Sequence, residues 1–179
     1  KKMNSISWHE KARGIYELYM MNQRDEFPDM FRYTNSNNPY VRMEAQTAII
    51  GFEGFKGLVF LDELIYPLHE WQQIKLLEQL NTLDIGAMPH LPLWLQSENR
   101  YVVQFALKLA EIYRQYQVHD LVVQCLQDPS KAIRAQAIKT LGKIALPETI
   151  ELLKAGYTNE TIENRKKIIR QIGINGGEN

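Results

Sequence analysis

Apolar residues recur along this chain with a period of about 31 residues. Five residues mark successive repeats, at intervals of 30 or 31: Arg42, Gln73, Val103, Arg134 and Arg165. The positions three and seven residues after each mark are all apolar: Ala45, Leu76, Ala106, Ala137 and Ile168, then Ile49, Leu80, Ala110, Leu141 and Ile172. Residues with this spacing share one face of a helix, so each repeat is predicted to contain a helix with a buried stripe.

A second apolar ladder keeps the same period in an independent register. Its members are Tyr33, Leu64, Leu95, Leu126 and Tyr157, with Phe60, Leu91, Val122 and Leu153 beside it. Two ladders in each repeat indicate pairs of helices, and such pairs stack because one pair cannot bury its own apolar face. The sequence therefore predicts an all-α protein: an α-solenoid of about five helical pairs, stacked as a right-handed superhelix, with an extra N-terminal helix.

Cap and stop residues set the predicted bounds of the helices. The longer helices are expected near 39–52, 69–82, 98–115, 129–144 and 159–172, the shorter ones near 28–36, 57–67, 87–97, 117–127 and 147–156, and the opening helix near 5–22. Asn38 before Pro39, and Asp128 before Pro129, each combine a side-chain cap with a residue whose φ is already helical. The predicted stops are the glycines at 51, 54, 57, 142, 156 and 173. Between 81 and 92 an irregular segment or a short helix is expected.

Composition narrows the class of protein. The 179 residues are 45% hydrophobic, with 21 basic and 21 acidic side chains, which fits one elongated domain over 1–179 and argues against a general nucleic-acid binder. No run of about 18 apolar residues and no signal peptide is present, so we expect a cytoplasmic location, or the cytoplasmic face of a membrane if an anchor lies outside this segment. The terminal sequences indicate a fragment of a longer chain. The single cysteine, Cys125, is expected to be a buried, reduced thiol.

The stretch from Asp128 to Gly142 resembles the second helix of a HEAT repeat, in the short variant also found in phycobilisome lyases. The segment from Asn38 to Ala45 repeats the pattern. The whole chain also resembles, more weakly, bacterial HEAT-repeat proteins with an N-terminal membrane segment. The resemblance implies an α-solenoid that holds other macromolecules, with catalysis in a minority of members.

A candidate binding face lies on the longer helices, opposite their apolar stripe. Eight residues are predicted to form it: Tyr40, Trp71, Tyr101, Phe105, Lys108, Lys139, Lys143 and Arg170. Aromatic residues come early and cations late, which predicts a groove for a protein partner that carries acidic groups and an apolar anchor. The alternative is that the aromatics pack on adjacent helices and the lysines are ordinary surface. The marked arginines are expected to point inward and to hydrogen-bond near the turns.

Signals for catalysis are poor. The four histidines share no spacing, no cysteine pair is present, and no glycine loop of the phosphate-binding kind occurs, so we predict no metal and no cofactor. The leading hypothesis is a non-catalytic scaffold or adaptor that binds a protein partner on the concave face. The alternative is a HEAT-like enzyme, such as a chromophore lyase or a DNA-repair glycosylase.

Overall fold

A computed structural model describes residues 7–83 and 88–176, and this part of the chain contains helices and turns but no strand. The chain divides into two compact units, Lys1–His90 and Leu91–Asn179. The first has α1 (Trp8–Met20), α2 (Phe27–Arg32), α3 (Pro39–Glu53), a 3-10 helix (Gly54–Asp62) and α4 (Glu70–Leu80). The second has α5 (Leu91–Leu95), α6 (Arg100–Ile112), α7 (His119–Gln124), α8 (Lys131–Leu141), α9 (Thr149–Gly156) and α10 (Ile162–Gly176). The alternation of short and long helices confirms the predicted all-α, HEAT-like fold class.

The long helices begin where polar side chains can accept their first N–H groups. Asn38 Oδ1 accepts a hydrogen bond from the N–H of Tyr40 at 3.0 Å, as predicted. Asn99 Oδ1 accepts one from the N–H of Tyr101 at 3.1 Å, so Asn99 caps α6, while Ser97 Oγ accepts the N–H of Asn99. The same serine–asparagine arrangement thus starts α3 and α6, because each orphan N–H of a first helical turn needs an acceptor.

Several predicted boundaries differ from the observed ones, among them the start of α8 and the end of α10. Helix α8 begins at Lys131 rather than at Pro129, because the carboxylate of Asp128 accepts the N–H of Ser130 at 2.7 Å and forms a turn before the helix. Helix α10 continues through Gly173 to Gly176. A Cβ at Gly173 would meet nothing within 4 Å, so glycine is not required there by packing and does not end the helix.

The opening helix belongs to the repeat pattern of the first unit. The rings of Trp8 and Tyr40 are 5.2 Å apart at the starts of α1 and α3, and those of Tyr19 and Phe52 are 5.3 Å apart near their ends. The two helices therefore run side by side in the same direction. Between them lies an apolar core, whose buried members include Ile15, Met30, Val41, Ala45, Ala48 and Ile49. Helix α1 thus takes the place of the long helix of an earlier repeat.

Gly51 lies within α3 rather than at its predicted exit, and a close approach explains why it is glycine. The phenol ring of Tyr19 covers Gly51, and a Cβ there would lie 2.4 Å from Tyr19 Oη. The same hydroxyl accepts a hydrogen bond from Gln79 Nε2 in α4 at 3.4 Å. Tyr19 therefore links α1 to α4 across α3. The helix ends three residues later at Gly54, whose φ of 61° is a left-handed conformation that glycine adopts at no steric cost.

The apolar ladder forms the core of the second unit. All five residues three positions after the marks are buried along the chain, and Ala137 and Leu141 are fully inaccessible to solvent, as the register predicts. Thr140 Oγ1 donates a hydrogen bond to the carbonyl of Leu107 at 2.9 Å, which ties α8 to α6. Helix α8 packs against α6 on one side and α10 on the other, so it forms the centre of this unit.

Candidate functional site

Arginines at the marked positions hold the turns, as predicted. Arg42 is buried and donates hydrogen bonds to the carbonyl of Ser36, in the turn before its own helix. Arg134 makes the equivalent bond to the carbonyl of Asp128 at 2.8 Å, and Arg165 also reaches the turn before its helix. Each guanidinium satisfies carbonyl groups that the turn leaves unpaired, which is a structural role.

Two of these arginines also reach the next repeat. Arg42 donates to the carbonyl of Pro67 at 3.1 Å, and Arg134 Nε lies 2.6 Å from Glu160 Oε1. Burial alone would raise the pKa of the Glu160 carboxyl, but hydrogen bonds from Arg134, Asn164 and the N–H of Thr161 lower it overall. The side chains of Arg134 and Glu160 are 18% and 7% exposed, so this ion pair is held away from solvent between adjacent repeats.

In the repeats without an arginine at the mark, other side chains make the contacts to the turns. Gln73 is buried and donates from Nε2 to the carbonyl of Leu68 at 2.9 Å, in the turn before its own helix. In the next repeat Val103 cannot do this, and Arg100, three residues earlier, pairs with the carboxylate of Asp128 in the following turn. These polar contacts therefore serve to join the turns.

An exposed row of aromatic rings lies at the starts of the long helices of the first unit. The rings of Trp8 and Tyr40 stack with centroids 5.2 Å apart and an interplanar angle of 26°. Tyr40 and Trp71 follow at 5.9 Å and 35°. The residues are 46%, 56% and 42% exposed, respectively. We call Trp8, Tyr40 and Trp71 the aromatic row.

The sequence pattern predicted two members of this row and missed the third. Trp8 stands 32 residues before Tyr40, which itself stands 31 before Trp71, so the signal was present. It was missed because the opening helix was treated as an addition outside the repeats. The structure shows that α1 occupies a repeat position, which brings Trp8 into the row.

A half-buried carboxylate follows the row on α3. Glu44 is one turn after Tyr40 on the same face of the helix, a spacing that places the two Cβ atoms about 6 Å apart. Burial raises the pKa of the Glu44 carboxyl. Within the described part of the chain, that carboxylate has no hydrogen bond and no ion pair. Lys75, at the equivalent position of α4, instead contacts Glu78, with Nζ 3.0 Å from Oε2.

The placement predicted for Phe105 on the binding face is wrong. Phe105 is completely buried, whereas Tyr101, one turn earlier on the same helix, is 40% exposed. Helix α6 packs against α5 as well as α8, so its apolar surface is much wider than one stripe. On α6 the position two residues after the mark therefore faces a neighbouring helix, and the same position on α8, Gln136, is also buried, whereas on α3 and α4 it is half-buried and exposed, respectively.

Three basic residues of the candidate face lie on helices of the second unit, Lys108 on α6, Lys139 on α8 and Arg170 on α10, and Lys143 lies in the turn after α8. Lys139, Lys143 and Arg170 are exposed, and Lys108 is half-buried. Their helices are neighbours, because α8 packs between α6 and α10. The contact between Gln171 and Gly142, and that between Asn164 and Lys131, show that α8 and α10 run in the same direction. A basic stripe across these helices stays a prediction.

A cleft of about 700 Å³ opens on the turn side of the second unit. Its wall includes Arg134 and Glu160, which are paired with each other, together with Leu126, Leu152 and Leu153 from the short-helix segments. The five residues named are apolar or paired with each other, and none of them is a nucleophile beside a base. The arrangement has no evident catalytic group.

Cys125 borders a smaller pocket beside this cleft and is buried, as predicted. Burial, and then the negative charge of Asp128, raise the pKa of the Cys125 thiol to about 11. The thiol therefore stays protonated at neutral pH, and a protonated thiol is a poor nucleophile.

Over 7–83 and 88–176, no three side chains of His, Cys, Asp or Glu gather as ligands of one metal ion. Within the same ranges no helix has the length and the apolar character that crossing a membrane requires. His69 precedes α4 and His119 begins α7, so both stand at helix starts.

Comparison with known families gives one match. A family model for HEAT repeats matches residues 88–173. The matched residues, a little less than half of the chain, are similar to HEAT repeats. This match confirms the resemblance carried by Asp128 to Gly142, and the matched segment includes all the helices from α5 to α9 and most of α10. The first unit has the same order of short and long helices. A comparison with curated proteins finds no match. HEAT repeats are commonly protein-interaction scaffolds and are generally non-catalytic.

Proposed function

We propose that the protein is a non-catalytic scaffold that binds a protein partner on the exposed face of its long helices. The aromatic row supports this proposal most directly. Exposure of large aromatic side chains to water is unfavourable in free energy, and burying them under a bound partner is favourable. Because the three rings support one another by stacking, little conformational entropy is lost when a partner covers them.

The predicted basic stripe of the second unit is a second candidate surface for a partner. Lys139, Lys143 and Arg170 leave their charges in solvent, and none of them is needed to fill the core. Exposed cations of this kind would steer an acidic segment of a partner towards the face, and the association would weaken with salt. We propose a cytoplasmic location for this complex, because Cys125 is a free thiol and because a protein-binding scaffold is consistent with that compartment.

Quantitative affinity capture from the native source tests this function. The full-length protein is the bait, and it is compared with the double variant Tyr40→Ser/Trp71→Ser and with Lys139→Glu/Arg170→Glu. Tyr116→Ser is the matched control, since Tyr116 is equally exposed but begins the 3-10 helix that precedes α7, away from the long helices. We expect a specific partner to be depleted at least tenfold by the first variant and not by the control. A partner retained equally by all the variants would refute the proposed face.

A further inference from the structure

The aromatic row combines exposure with fixed geometry. Its rings come from the first turns of α1, α3 and α4, three helices whose own backbone contacts hold the rings at centroid distances of 5.2 and 5.9 Å. The edge of the His9 ring also contacts Trp8 at 5.2 Å. Ordered, accessible aromatics are the residue type on which binding energy concentrates in protein interfaces. A flat or linear group of a partner could cover the row without rearranging it.

Two carboxylates stand close in sequence to members of the row. Glu44 stands one turn beyond Tyr40, with a half-buried carboxylate that has no hydrogen bond or ion pair among the described residues. Glu70 directly precedes Trp71 and is exposed. The cation closest in register, Lys75, is paired with Glu78 at 3.0 Å.

Two other cations of the helices that carry the row have other partners. Lys11 Nζ, on α1, lies 5.8 Å from the centroid of the Tyr33 ring. The guanidinium of Arg42 is buried, bonds the carbonyls of Ser36 and Pro67, and lies 5.1 Å from the ring of Tyr66. A carboxylate that has lost part of its hydration without gaining a protein cation gains most from a cation supplied by a partner. The row is thus complementary to a positively charged group.

We propose that the aromatic row and Glu44 bind an arginine side chain in an extended segment of the protein partner. A planar guanidinium stacks on an aromatic ring and donates two parallel N–H groups to a carboxylate, whereas a lysine ammonium offers only a point charge. An acidic segment is disfavoured by Glu44 and Glu70. This inference rests on the proposed function, since it names the class of group that the same face recognises.

The indole N–H signals of the three tryptophans test the inference with an internal control. Trp8 and Trp71 belong to the row, whereas Trp94 is only 2% exposed in the second unit. The whole ¹⁵N-labelled chain is titrated with a capped Gly-Arg-Gly-Arg-Gly peptide, and with matched peptides that carry citrulline, lysine or glutamate instead of arginine. We expect the arginine peptide to shift the signals of Trp8 and Trp71 and to leave that of Trp94 in place, with weaker shifts for lysine and none for citrulline or glutamate.

Two amide variants then isolate the role of the carboxylate. Glu44→Gln should weaken arginine-peptide binding about fivefold or more, since a hydrogen bond from a guanidinium to a neutral amide is roughly half as strong as one to a carboxylate. Asp25→Asn is the control: it removes the same charge in the same unit, in the 3-10 helix that follows the far end of α1. Equal binding by the wild type and Glu44→Gln would overturn the inference.

The peptide series separates this inference from the proposed function. If the citrulline or glutamate peptide shifts Trp8 and Trp71 as strongly as the arginine peptide, the inference is wrong, although the row still binds a peptide. If no peptide shifts them, the inference is also wrong, and the proposed function is decided by the capture experiment with the native partner.

Discussion

Breaking the ion pair between Arg134 and Glu160 should destabilise the second unit by a measurable amount. The Glu160 carboxylate accepts from Arg134 Nε at 2.6 Å, from Arg134 Nη2 at 3.3 Å and from Asn164 Nδ2 at 2.9 Å. Replacing Glu160 with Gln removes the charge and leaves the guanidinium partly buried. Loss of one partner of a fully buried ion pair costs about 3 to 5 kcal/mol.

The expected cost for Glu160→Gln is lower than that range. Arg134 is 18% exposed and keeps its hydrogen bonds to the carbonyls of Asp128 and Pro129, so the guanidinium is not left without partners. The amide of the new side chain also keeps one acceptor. We therefore expect a loss of about 2 kcal/mol in the free energy of unfolding, roughly one or two charge-assisted hydrogen bonds.

Urea unfolding followed by circular dichroism at 222 nm gives this free energy. The matched control is Glu151→Gln, which breaks the exposed pair with Lys154, in the same unit, and should cost about 0.5 kcal/mol or less. The effect of Glu160→Gln should also depend on pH. Because the pKa of Glu160 is lowered in the folded state, its contribution is complete above the ordinary pKa near about 4.3 and is lost as the pH falls through the folded value. Equal costs for the two variants at pH 7 would refute the reasoning.

Three further predictions concern packing and reactivity. Leu141→Ala should cost about 2 to 5 kcal/mol in urea unfolding, since Leu141 is fully buried; unchanged stability would contradict the register. Gly51→Ala should destabilise the fold by about 1 to 3 kcal/mol because the new Cβ meets the ring of Tyr19. Gly156→Ala, where a Cβ meets nothing, should be neutral or stabilising. A higher melting temperature for Gly51→Ala than for Gly156→Ala would contradict this packing. Cys125, with its pKa raised to about 11, should react with a thiol reagent at pH 7.5 only on addition of denaturant; rapid labelling of the native protein would be inconsistent with its burial.

The repeat period predicted most of the fold, because stacked helical pairs need apolar residues at the same positions in every repeat. The positions of Ala137 and Leu141 recur in every repeat, and a polar side chain at either position would be buried without a hydrogen-bond partner. The ladder therefore predicted the buried face correctly. It predicted the helix ends less well: Asp128 bonds the N–H of Ser130 and the side chain of Arg100, contacts that a local cap rule does not include.

The candidate site was harder to predict because exposure depends on neighbours in space. A helical wheel assigns Phe105 to the solvent face only if one stripe of the helix is covered. Helix α6 is covered by α5 as well as by α8, so the wheel gave the wrong side. Trp8 shows the converse case, since its exposure beside Tyr40 follows from the pairing of α1 with α3. The 31-residue period contains this pairing, but it was missed because α1 was treated as an extra helix outside the repeats.

The most direct test of the proposed scaffold function is oxidative footprinting of the protein with its captured partner. Tryptophan oxidation reports on exposure, and Trp8 and Trp71 are exposed in the free chain, whereas Trp94 is buried and serves as the reference. The account predicts that saturating partner slows oxidation of Trp8, Trp71 and Tyr40 several-fold and leaves Trp94 and the control Tyr116 unchanged. Protection confined to Tyr116 or to the short helices, with Trp8 and Trp71 oxidised at the free rate, would contradict it.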